Sequence, residues 1–177
     1  MEDVGPSEAG ATLDGAPVDA VISDDNGSIV VSVGQARLRY SVTDASGVRR
    51  LLVSASSVEL QPGDVVSIEL SGFAAKAQAS VWLVPGDVGL GSATLDGGAG
   101  AITGVVPSDA SPGLRRIVTA SESVDGKPMV VAYGVDVTTT DDTGPTWSIV
   151  FLVIVGLAVM FGLFIPAARR RRDDSTD

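Results

Sequence analysis

The sequence contains no cysteine and no histidine. Without cysteine, no disulfide can staple the fold, so a domain outside the cell must be held by its core. Without histidine, the usual general base and the commonest zinc ligand are missing. A Ser-His-Asp or Cys-His triad is excluded outright. Aromatic residues make up only 5% of the 177 residues. Cations are outnumbered, 12 against 22 acids, for a net charge of −10. Such a chain does not suit nucleic acid, whose phosphates need clustered cations. An enzyme built from these residues would need carboxylate-only chemistry, such as a glycosidase pair. No acids converge on that pattern, so no catalytic residue, metal ligand or cofactor is expected.

What is present begins at the far end of the chain. Residues 147–168 read WSIVFLVIVGLAVMFGLFIPAA, twenty-two residues without a charge. About twenty apolar residues suffice to cross a bilayer core as a helix. A buried helix of a soluble domain is rarely apolar on every face for that length. The run stops against Arg169, Arg170, Arg171 and Arg172. Lys and Arg stay on the cytoplasmic side, so residues 169–177 are expected inside and residues 1–146 outside. The four arginines orient the span and are placed to meet anionic lipid headgroups. Trp147 suits an anchor at the outer interface. Gly156, Ala158, Gly162 and Pro166 lie within the span. Ala158 and Gly162 form a small-xxx-small pair that can seat a second helix.

The charge is divided by this span. Before it, 19 acidic residues stand against 8 basic ones; the tail carries four Arg against three Asp. An acidic outer domain is well solvated and repels anionic polymers. An outer domain without cysteine fits a bacterial surface better than a eukaryotic secretory route. The first residues, MEDVGPSE, have no basic region and no apolar core, so they do not read as a signal peptide. Export then implies a mature or truncated start, or residues upstream. The competing topology, a tail-anchored protein with its domain in the cytosol, would put four arginines outside.

Residues 1–17 are rich in Gly, Ala, Pro and acids and are expected to be disordered. From residue 18, short β-prone runs alternate with turn chemistry. The runs are 18–22, 28–33, 37–43, 49–55, 65–70, 79–84, 89–95, 101–106, 115–120 and 129–137. Between them lie Asn26-Gly27, Ser46-Gly47, Pro62-Gly63-Asp64, Pro85-Gly86-Asp87, Asp96-Gly97-Gly98, Pro112-Gly113 and Asp125-Gly126. Val66, Ile68 and Leu70 share one face of a run, and Ser67 and Glu69 the other. This period of two marks half-buried antiparallel strands, and many at regular spacing predict an all-β sandwich. A seam is expected near 58–63. It leaves 18–58 as a β-rich segment packing on or preceding a sandwich at 59–138. Residues 139–146 read as a polar spacer.

The series Pro62-Gly63-Asp64, Ser71-Gly72-Phe73-Ala74, Val81-Trp82-Leu83, Leu90-Gly91, Asp96-Gly97-Gly98, Val106-Pro107, Ser111-Pro112-Gly113-Leu114 and Asp125-Gly126-Lys127-Pro128 resembles the Ig-like surface domains of actinobacterial cell-envelope proteins. The resemblance covers 60–137, under half of the chain. It implies an Ig-like antiparallel β-sandwich on the outer face of a Gram-positive-type envelope, and it does not imply an enzyme. Two departures stand out. Ala74-Ala75-Lys76-Ala77 replaces the Pro-Gly turn usual after SGF. The LPxTG sortase pentapeptide is absent before the apolar run, so the span is expected to persist rather than be exchanged for a wall linkage.

Three residues are weak candidates for a ligand surface. Trp82 stands alone outside the apolar run, where a glycan-stacking platform competes with plain packing on a sheet. Arg37 and Arg39 share a strand face, with Arg49-Arg50 and Arg115-Arg116 as further cations. An anionic glycan or lipid competes there with cross-strand pairing to acids. Asp24-Asp25-Asn26 and Asp141-Asp142 have oxygen ligands but no calcium-loop spacing, and turn chemistry accounts for them. Gly97-Gly98-Ala99-Gly100 lacks the Lys-Ser/Thr of a phosphate loop. The expected protein is thus a single-pass envelope protein displaying a β-sandwich for a structural or binding role. Its expected partners are membrane lipid and an envelope polymer or protein. The rival is an accessory subunit of a membrane transport or secretion complex, held to its partner through the helix.

Overall fold

The computed structural model describes residues 4–139. The apolar run 147–168, the arginine tail and most of the spacer lie outside the described residues. Among those described, no helix is long and apolar enough to cross a membrane.

The described chain is all-β. Twelve strands follow in order: β1 (Ala9–Leu13), β2 (Ala16–Val18), β3 (Val21–Asp25), β4 (Ser28–Val33), β5 (Ala36–Thr43) and β6 (Glu59–Leu60), then β7 (Val65–Ser71), β8 (Gln78–Val84), β9 (Val88–Thr94), β10 (Gly100–Val105), β11 (Gly113–Glu122) and β12 (Pro128–Val137). They form two sheets. The larger runs β2-β1-β12-β11-β8-β9, with β6 also on β12; the smaller runs β10-β7-β5-β4-β3. Every pairing is antiparallel except β6 on β12, which is parallel.

Alternation puts one face of each sheet into a common core. In the smaller sheet Ile29, Tyr40, Ile68 and Ile102 lie in one cross-strand row. In the larger, Leu83, Ile117 and Tyr133 do the same. All seven are buried. The two sheets meet where Tyr40 and Tyr133 stack, ring centroids 5.2 Å apart. Offset aromatic pairs at that separation are favourable beyond their buried area.

The register defines two ends. At one, Thr43, Val65 and Val105 are neighbours in the smaller sheet, and Leu60, Val137 and Gly113 in the larger. We call this the exit end, because β12 finishes there. At the other, the turn end, Val33 pairs Ala36 and Leu13 pairs Ala16, each across a two-residue loop.

Three expectations are corrected. First, residues 9–13 and 16–18 form strands where composition predicted disorder. The reason is backbone pairing: β1 occupies the open edge of β12 from Met129 to Tyr133. Ala11 enters the core, and Val4 is buried where it meets Gly10. Second, residues 49–55 have strand-like alternation but form a connection. Arg50 N donates to Val42 O in β5 and Leu52 N to Gly27 O in the β3–β4 turn, isolated bonds to the smaller sheet rather than a ladder, before the chain reaches β6 on the larger. Third, the seam near 58–63 is not a boundary between folding units. β5 pairs β7 from Arg37–Ser71 to Thr43–Val65, which joins the two sides in one sheet. All described residues fall in one compact unit.

Candidate functional site

Trp82 sits in β8 on the outer face of the larger sheet, half-buried. It lies opposite Val118 on β11 and Gly89 on β9, beside a register shift at Val81/Trp82. Among the described residues, no second exposed aromatic stands with it to make a stacking platform.

Arg37 and Arg39 do share the outer face of the smaller sheet. Arg37 is exposed and Arg39 half-buried. Arg39 lies opposite Glu69 and is bridged to it at 3.8 Å and to Asp25 at 3.5 Å. A shallow cleft of about 280 Å³ is lined by Asp25, Val30, Arg37, Arg39, Glu69 and Ser71. Two acids and two cations in one cleft do not make an anion site; they make a cross-strand charge pairing of modest strength.

The remaining arginines do not join them. Arg49 Nη2 donates to Ser28 Oγ at 2.6 Å. Arg50 Nη2 donates to Asp64 Oδ1 at 2.9 Å, and its Nη1 to Glu59 O at 2.9 Å. Arg115 donates to Ser111 O and Pro85 O. Arg116 Nε donates to Val4 O at 3.1 Å. All four hold connections at the exit end or fasten the first described residues.

The acids behave alike. Asp24 accepts from Ser54 N at 2.6 Å and from Ser54 Oγ at 2.9 Å. Asp64 is buried and accepts from Gln61 N at 2.6 Å as well as from Arg50. Asp44 accepts from Ser46 Oγ, Ser46 N and Val48 N, all at one carboxylate oxygen. These bonds, led by the Ser46 hydroxyl, hold its pKa below the ordinary carboxylate value. Among the described residues, no three acidic, His or Cys side chains lie together as a metal site would need.

The core tyrosines are shifted the other way. Burial pushes the Tyr40 phenol far up, partly offset by Thr119. Burial also raises Tyr133. Both stay neutral through the physiological range. Their raised values favour the folded state below about pH 10, and that contribution is lost as pH rises through the folded pKa.

Further cavities are formed by described residues. One of about 390 Å³ opens at the turn end between Leu13, Val18, Val33, Ala36, Val124 and Met129. Another, about 410 Å³, lies along the 50–61 connection at the exit end. Ser123, Asp19 and Asp125 also line the first, where Ser123 Oγ accepts from Lys127 N at 3.2 Å, and Ser56, Ser57 and Glu59 line the second.

Sequence reasoning missed the Arg50–Asp64 pair and the apolar residues of the exit end. Pro62-Gly63-Asp64 signalled a turn, and nothing in its spacing marks Asp64 as buried. Comparison of the chain with protein-family models, with curated proteins and with solved structures finds no match.

Proposed function

We propose that this chain is a single-pass membrane protein that displays a β-sandwich on the outer surface of a Gram-positive-type envelope, for a structural or binding role. The observation that carries the reading is the uncharged run 147–168 ending against four arginines. Strand order supports the Ig-like part of it. Within 59–137, β7 and β10 belong to one sheet, and β9-β8-β11-β12 to the other. That is the partition of an Ig-type sandwich, with strands B and E facing the C′, C, F and G set. Around that unit, β3–β5 extend the β7 edge and the β1–β2 hairpin extends β12. The display role fits a domain whose charged side chains pair with each other or hold loops. The proposed partners are membrane lipid and an envelope polymer or protein.

The test is proteinase K shaving of intact cells that express the chain, read by mass spectrometry. Peptides from 1–146 without peptides from the arginine tail are expected. Cleavage of the domain only after lysis would replace this reading with a cytosolic, tail-anchored one.

A further inference from the structure

The exit end is where the chain departs for residues 140–146 and the apolar run. It is also where the domain leaves large apolar side chains uncovered. Seven are exposed among the described residues, and five of them stand on this end. Val48, Leu51 and Val53 lie on the connection from β5 to β6, Val105 ends β10, and Leu114 is the second residue of β11. Leu51 is the most open, 81% exposed. Val124 is the one exposed large apolar residue in a turn-end connection.

These five residues share the exit end from both sides: Val105 faces outward from the smaller sheet and Leu114 outward from the larger. Thr43 bridges Arg49, and Val105 lies in the same row through Val65. Leu52 N bonds Gly27 O, and Leu51 lies against Gly27. Arg50 reaches Glu59 O, Glu59 pairs Asp136, and Asp136 pairs Leu114. Single exposed apolar residues are ordinary on any surface; five of the seven at one end give that end an apolar rim.

We propose that the exit end rests on the outer surface of the bilayer, with Leu51 and Leu114 dipping among the lipid headgroups. The proposal rests on the membrane-anchored reading given above. Tether length favours lipid as the occupant. Seven residues, 140–146, separate the last described residue from Trp147. Fully extended they span at most about 25 Å. The turn end lies a further β12 away, ten residues or roughly 33 Å. A short tether holds the exit end at high effective concentration beside the interface, so weak apolar contacts suffice. Acids outnumber cations at this end, with Asp24, Asp44, Glu59, Asp64, Asp87, Asp109 and Asp136 against Arg49, Arg50 and Arg115, so the lipid the end meets is zwitterionic rather than anionic.

The absence of native cysteine makes the test direct. The full chain carrying Leu51→Cys, Leu114→Cys or Val124→Cys is labelled with an environment-sensitive fluorophore. Each is reconstituted in phosphatidylcholine vesicles containing a headgroup-region quencher lipid, and vesicle flotation is scored in parallel. Quenching at 51 and 114 several-fold above that at 124 is expected, in protein that floats. Floating protein with equal quenching at all three positions overturns the docking and leaves the anchor standing. Protein that does not float overturns both.

Discussion

The two ends of the sandwich are closed by different chemistry. At the turn end the connections are short, or they are stitched by backbone. Asp14-Gly15 and Gly34-Gln35 are two-residue loops. The 72–77 and 95–99 loops bond one another through Phe73 N to Gly98 O, Lys76 N to Leu95 O and Leu95 N to Ala77 O. At the exit end the 44–58 and 106–112 connections are long. Backbone partners run out along such segments, and side chains take over: Arg50, Arg115, Asp24, Asp44 and Asp64 hold backbone or one another there, and Arg49 holds the Ser28 hydroxyl. Every polar backbone group still needs a partner, and the longer the loop, the more of them must be charged side chains. The domain's charge therefore works within the exit end as much as it faces solvent.

The largest effect should come from the exit end. Asp64→Ala leaves Arg50 without its carboxylate and Gln61 N without its acceptor. Removing one member of a buried pair costs about 3–5 kcal/mol; Arg50 keeps part of its solvation, which points to the lower part of that range. Urea unfolding of the full chain measures it. A loss under about 1 kcal/mol would mean that the long connections do not depend on side-chain clamps.

The turn end should respond to backbone geometry instead. Gly72 has φ +75°, and an added Cβ would stand 2.0 Å from Gln35 O. Gly72→Ala should cost about 2–4 kcal/mol, from the left-handed conformation plus a forced backbone shift. Gly34 has φ +58° with open space around it. Gly34→Ala should therefore cost only about 1 kcal/mol. The difference between the two glycines isolates the close approach from the conformation. Equal losses would show that the turn end is held by loop conformation alone.

The same division explains what the sequence revealed. The core strands were readable because Val66, Ile68 and Leu70, or Met129 to Val137, alternate in register with the pleat. Asn26-Gly27 marked its hairpin because both residues take positive φ, +48° and +73°. Asp14-Gly15 carries the same signal, φ +53° and +78°. It lies inside a segment whose composition argues for disorder, and composition outweighed it. Pairing of β1 depends on an open edge of β12 more than a hundred residues away, which no local window contains. Residues 49–55 misled in the opposite direction: Leu52 faces in and Leu51 out, as in a strand, but only Arg49 and Arg50 touch β5, and the segment then leaves it. Of the candidate site, the cation positions were legible and their partners were not. Arg39 meets Asp25 and Glu69 only through the register of β3, β4, β5 and β7.

The smallest effect should sit at the tip of the exit end, in the turn that Asp44 closes. This carboxylate lies at the surface on a half-exposed residue, so its bonds to Ser46 and Val48 compete with water and contribute locally. Its folded pKa is lowered, so its contribution is present above the ordinary carboxylate pKa and is lost as pH falls through the lowered value. Amide-exchange protection at Ser46 and Val48 should hold at neutral pH and fall in acid. Asp44→Ala should remove it at neutral pH while the global unfolding midpoint stays where it was. A midpoint shift comparable to that of Asp64→Ala would mean the turn and the buried clamp open as one unit. Separate responses would make the tip that carries Val48 a locally adjustable element on a rigid base, the arrangement a surface needs to settle against a bilayer while the core stays packed.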